Sequence, residues 1–170
     1  MPKYLTVVLI FCLGKWWHRT ADAETLRFLL APTDTAVGFF SGSASVWHPE
    51  MGYHHPLLNV AIDASCAGFN FLLITFLLLA YLLLRRFVRW WAIPLALVFA
   101  WPVTIVANSS RILTILLTGD APRGISSGVW HEGQGAFVYL FVLVGTGLLA
   151  DHLLKKQVAE KGFPFQATQR

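Results

Sequence analysis

The sequence predicts an all-α, polytopic integral membrane bundle of about four transmembrane helices, and three observations carry that prediction. Of the 170 residues, 56% are hydrophobic and only 13% are charged, with a mean hydropathy of +0.59. A water-soluble core of this size cannot hide so much apolar surface. The apolar residues also come in blocks, FLLITFLLLAYLLL, WAIPLALVFAWPVTIVA and AFVYLFVLVGTGLLA, each long enough or nearly so to cross a hydrocarbon layer of roughly 30 Å. Finally, Lys and Arg gather in small groups beside these blocks, so the formal net charge of +4 reads as a topology signal and not as a nucleic-acid face.

The elements follow in order as one membrane domain over residues 1–170. The start, MPKYLTVVLIFCLGKWWHRTADA, has a basic end, a short apolar core and an Ala-Asp-Ala like a signal-peptidase site. Lys15, Trp16, Trp17, His18 and Arg19 make a bulky, charged approach to that site, which argues for an uncleaved first span over 4–17 with both tryptophans at an interface. An outer loop over 18–55 is longer than connections in compact domains usually are, and LRFLLAPTDTAVGFFSG within it suits a short interfacial helix before Pro32. Three further spans run over 56–84, 90–117 and 129–154, followed by a tail at 155–170.

Orientation rests on Arg85, Arg86 and Arg89 between the second and third spans, which the positive-inside rule places in the cytoplasm. Lys155, Lys156 and Lys161 agree, while Lys15, Arg19 and Arg27 weakly oppose. Both termini are then cytoplasmic. The start of the second span, the end of the third and the start of the fourth share the outer side. Cys66, Arg111 and His131 fall at those three ends, at similar depth.

Helical spacing puts Asn59, Asp63, Cys66 and Asn70 on one face of the second helix, and Thr104, Asn108, Arg111 and Thr118 on one stripe of the third. Polar stripes at lipid depth must face protein or a wet cavity. Pro102 is expected to kink the third helix, and Gly128, Gly133 and Gly135 to allow close backbone approach around His131.

Taken alone, Cys66 reads as a small buried hydrophobe, Arg111 as a snorkelling flank and His131 as an interfacial helix start. Their combination reads differently. An arginine at a helix centre costs at least about 2.5 kcal/mol, and apolar residues continue for two turns after Arg111. A thiol with a cation and a proton carrier in reach is equipped to attack a carbonyl. Arg111 would favour the thiolate, hold an oxyanion or bind a carboxylate. Glu132 competes for Arg111. Asp63 and Asn108 orient Arg111 or His131, or else serve as a helix N-terminal acid and a helix-packing amide; Asp63 could instead act directly, so its role is open.

Two cysteines, Cys12 and Cys66, make no disulfide framework. Cys12 lies among apolar neighbours and reads as packed, with a bridge to Cys66 as the other option. His48, His54 and His55 in WHPEMGYHHP fit no regular zinc or iron spacing, and their role is open between loop packing and a substrate groove. No cofactor or metal is expected.

The order D-x-x-C-x-G, N-x-x-R and H-x-x-x-G, carried by Asp63, Cys66 and Gly68, by Asn108 and Arg111, and by His131 and Gly135, resembles the exosortase and archaeosortase family of membrane cysteine transpeptidases. The likeness covers roughly residues 53 to 150 and is greatest to the short exosortase K branch. It implies Cys66 as nucleophile with Arg111 and His131 as catalytic partners. The implied substrate is an exported protein with a C-terminal motif, a transmembrane helix and a basic end. The enzyme would cut near the motif and transfer the protein to an acceptor such as a polysaccharide or lipid. In the family the acid before the cysteine is often Glu, where this chain has the shorter Asp63. Two rivals remain from the residues themselves: a hydrolytic membrane cysteine protease, and a non-catalytic partner in polysaccharide or protein export whose polar stripes only join helices.

Overall fold

The structure, a computed structural model, describes residues 2–87, 89–119 and 126–160. Of the expected tail at 155–170, residues 161–170, with Lys161, lie outside them. Among the described residues, five helices, a small sheet and a 3-10 turn form the fold: α1 (Pro2–His18), α2 (Arg27–Ser41), β1 (Val46–His48), β2 (Gly52–His55), β3 (Val60–Ile62), the 3-10 turn (Ala64–Cys66), α3 (Phe69–Phe87), α4 (Ala92–Thr118) and α5 (Ser127–Glu160). Among the described residues, three segments are long and apolar enough to cross a membrane: Ala64–Phe87, Ala92–Thr118 and Gly128–Lys156.

α3 and α4 make the core pair. Ala92, Ala96, Ala100 and Ala107 are all fully buried, and a stripe of such small side chains lets two backbones approach closely. Phe71, Leu72, Phe76, Leu79 and Leu84 of α3 fill the space around them. α5 leans on α4 and α3 along one face only; Phe137, Leu140, Phe141, Leu148 and Leu149 stay exposed, as suits an apolar medium. At the end of the bundle away from Cys66, Asp151 of α5 lies between Arg86 of α3, at 3.8 Å, and Lys155.

The N-terminal segment is a helix of 17 residues, about 25 Å long and so short of a full crossing by length alone. It nevertheless runs antiparallel to α3. Tyr4 meets Tyr81 and Lys3 sits over Trp90 at one end, while Trp17 and His18 pack on Phe69 at the other. Cys12 on this helix is exposed, not packed, and both cysteines are free thiols.

The loop expected over 18–55 is instead a folded lobe. α2 does not stop before Pro32 but runs through it to Ser41, ending at Gly42 in the left-handed conformation (φ 68°). Pro32 has no N–H for the carbonyl four residues back. That carbonyl, of Phe28, accepts the Trp101 indole N–H at 3.2 Å instead, which ties α2 to α4. The three strands form an antiparallel sheet in sequence order, with Val46 opposite His54 and Tyr53 opposite Ile62. Gly52 takes φ +82° with the Ile62 carbonyl and Asp63 Cα filling the place of a side chain.

The second membrane helix begins later than the hydropathy predicts. Residues 56–68 are turn, strand and 3-10 turn, and α3 starts at Phe69. Two local features hold the chain out of the α-helix there. The Asp63 carboxylate accepts hydrogen bonds from the amides of Ser65 and Cys66, and Gly68 takes φ +70°. Consequently Asn59, Asp63, Cys66 and Asn70 share no helical face; Asn59 sits in a β-turn with φ 51°, and of the four only Asn70 belongs to α3.

Candidate active site

Cys66 stands on a single 3-10 turn between the sheet and α3, half-buried. Asp63 builds that turn. Its Oδ1 accepts from the Ser65 amide at 2.9 Å, the Ser65 hydroxyl at 2.6 Å and the Cys66 amide at 3.1 Å. Asp63 therefore caps the turn that carries the thiol, and among the described residues it makes no hydrogen bond or ion pair with Arg111 or His131. The Ser65 hydroxyl also lies 3.9 Å from the Cys66 sulfur.

From α4, the fully buried Asn108 donates its side-chain N–H to the Cys66 carbonyl. Gly68 makes that approach possible: a Cβ there would stand 3.2 Å from Asn108 Cγ, and its positive φ disfavours any side chain in its own right. Asn108 is thus a tie to the backbone of the cysteine turn.

Arg111 lies one turn further along α4, half-buried, and its partner there is Tyr139. Its Nη1 donates to the Tyr139 hydroxyl at 3.4 Å, and its guanidinium carbon is 5.4 Å from the centre of that ring. Gly135 of α5 makes room for it, since a Cβ there would be 2.6 Å from Arg111 Nε. Gly128 and Gly133, also expected to admit close approach, have nothing within 4 Å.

Tyr139 is the site residue that sequence reasoning missed. Its hydroxyl donates to Asn108 Oδ1 at 2.7 Å, and its ring stacks on Phe71 of α3 at 4.6 Å. In AFVYLF it reads as one more aromatic in an apolar block. The available signal was phase, because His131, Gly135 and Tyr139 are spaced by four and four and so lie on one stripe of α5.

His131 sits on that stripe, half-buried, at the same end of the bundle. Its Nδ1 is buried with no hydrogen-bond partner among the described residues, and so is Arg111 Nε. No hydrogen bond joins His131 to Cys66 or Arg111 among the described residues, and the exposed Glu132 makes no ion pair with Arg111 there. Gln134, one turn on, closes the α4–α5 end by donating to Thr118 Oγ1 at 2.6 Å. The Thr104 hydroxyl turns back onto the Ala100 carbonyl at 2.8 Å. α4 runs through Pro102 unbroken.

The histidine-rich stretch divides. His55 is fully buried, its Nε2 2.9 Å from Asp34 Oδ1 and its Nδ1 3.2 Å from the Ser43 hydroxyl. Ser45 donates to the other Asp34 oxygen at 2.9 Å. His55 therefore locks α2 to the sheet, and His48 and His54 lie half-buried on β1 and β2. Among the described residues no group of three His, Cys, Asp or Glu side chains is placed to hold a metal ion.

A bundle of membrane-crossing helices that holds a cysteine turn at one end, with an amide, a phenol and a guanidinium gathered on it, defines a polytopic helical membrane protein with a polar site at the edge of its bundle. The chain belongs to the transmembrane exosortase family, whose model matches residues 51–148, more than half of its length. The matched region begins just before β2 and ends inside α5, so it contains Cys66, Asn108, Arg111, His131, Gly135 and Tyr139, and leaves out α1, α2 and β1. No curated protein and no solved structure matches the chain.

Proposed function

We propose that this protein is a membrane cysteine transpeptidase of exosortase type, nearest the short exosortase K branch. It cleaves a C-terminal sorting tail of exported proteins at the outer face of the cytoplasmic membrane. The single observation that carries this reading is the hydrogen-bonded chain from Arg111 through Tyr139 and Asn108 to the Cys66 carbonyl. Packing alone has no need of a guanidinium linked through a phenol and an amide to a capped turn that carries a thiol.

In this reading the Cys66 sulfur attacks the scissile carbonyl as thiolate, forming the C–S bond. Arg111 offsets negative charge first on sulfur and then on the tetrahedral oxygen. Collapse breaks the C–N bond, and the leaving amine takes its proton from His131. His131 then accepts the proton of the acceptor's nucleophile, the new acyl bond forms and the C–S bond breaks. The substrate's own helix would deliver the cleavage site to this depth, with its basic end beside the Arg85 and Arg86 end of the bundle, opposite Cys66.

The test is co-expression with a protein bearing such a tail, followed by mass analysis of the product's new C-terminus. An added group supports transfer to an acceptor, whereas a free carboxylate assigns the site to hydrolysis. Full processing by Cys66→Ala would sink the enzymatic reading altogether.

A further inference from the structure

The Tyr139 hydroxyl has one proton, and the structure fixes where it goes. Asn108 Nδ2 is committed to the Cys66 carbonyl, so the atom that Tyr139 meets at 2.7 Å is the amide oxygen, which only accepts. The phenol must donate there. Towards Arg111 it can then only accept, and a guanidinium only donates. Every bond in the chain therefore has one permitted sense, running from the cation to the peptide that carries the thiol. The ring itself is held separately, by its stack on Phe71.

Removing the hydroxyl would leave the fully buried Asn108 oxygen without its donor and Arg111 without this acceptor. We propose that Tyr139 is a positioning residue of the site: its hydroxyl, anchored on Asn108, sets the direction of Arg111 and so how the guanidinium is presented to the cysteine turn. This rests on reading Cys66 as the nucleophile, as above. Tyr139 acts on the thiol through Arg111.

The experiment is the pH profile of Cys66 alkylation by iodoacetamide in native membranes, read by mass spectrometry on the full chain with Cys12→Ser as the parent. It needs no substrate. Tyr139→Phe keeps the ring and its stack. It is expected to slow alkylation at neutral pH roughly fivefold, about what one hydrogen bond of ordinary net strength supplies. It should displace the profile in the same direction as Arg111→Ala, by less. Adding Tyr139→Phe to Arg111→Ala should change little further, because the two act in series. Phe71→Leu, which removes the stacking partner and leaves the hydroxyl, should leave the profile in place.

A profile unmoved by Tyr139→Phe, when Arg111→Ala does move it, overturns the role of Tyr139 and leaves the cysteine reading standing. So does an additive double variant, or a Phe71→Leu profile that shifts as Tyr139→Phe does, since that would make the residue a packing element. A parent Cys66 that does not react, or one indifferent to Arg111→Ala, removes both readings together.

Discussion

Two polar networks sit within this apolar chain, and they differ in how completely they are satisfied. In the lobe, both nitrogens of His55 and both oxygens of Asp34 have partners, and the imidazole is fully buried. At the cysteine turn, Asn108 is doubly engaged, yet Arg111 Nε and His131 Nδ1 are buried with no partner among the described residues. A saturated network fixes one conformation. An unsaturated one holds groups whose desolvation has been met but whose hydrogen bonds are unspent. Two histidines of equal prominence in the sequence therefore belong to different kinds of chemistry.

The largest expected effect at the unsaturated site is that of Cys66→Ala, which abolishes processing of a tailed substrate while the protein level in the membrane holds. Arg111→Lys follows. It keeps the charge but loses the planar fork, and processing should fall about a hundredfold, the scale of one lost oxyanion donor. Measured turnover near the parent value would instead make Arg111 a structural flank.

The saturated network should respond in the opposite currency. His55→Phe leaves Asp34 buried without its principal partner, and the loss of stability is expected to be about 3 kcal/mol, read as a lowered midpoint of heat unfolding in detergent. Cys66 alkylation in the folded fraction should be little changed. A variant that kept its stability but lost its thiol reactivity would merge the two networks into one and end the contrast.

Asp22 supplies a polar cluster of a third kind, fully in solvent. The Thr25 hydroxyl and amide hold its carboxyl below the ordinary value of 3.8. A carboxyl whose pKa is lower folded than unfolded adds stability above the unfolded value, and that stability is lost as the pH falls through the folded one. Asp22→Asn should flatten the stability curve below about pH 4 and do little at neutrality, which is the smallest effect of the set. It is checked by unfolding midpoints across that range.

Hydropathy made the helical membrane class legible, because a 20-residue apolar run has few other solutions. The helices α4 and α5 are long and continuous, so their ends and their polar stripe were open to counting. The region before α3 was not. The strands there have three or four residues, too few for alternation to register, and the pairing of Asp34 with His55 spans 21 positions. The assumed helical phase through residues 59–70 failed for a local reason. The Asp63 cap and Gly68 end the lobe abruptly, and side-chain caps of this sort outcompete helix continuation without changing hydropathy. Tyr139 was hidden by its own neighbours, since an aromatic in an aromatic-rich run carries no compositional mark.

Gly68 has a further consequence for how such chains diversify. It is the joint between lobe and bundle, and the sulfur lies on the lobe side of it while Arg111, His131 and Tyr139 lie on the other. A chimaera spliced at this joint would inherit its nucleophile from one parent and its cation from the second. Asn108, reaching across from α4 to the Cys66 carbonyl, would then hold the two inheritances in register together with the bonds from Trp101 to Phe28 and from Lys15 to Asn70, and of these three it alone ties directly to the residue that carries the thiol.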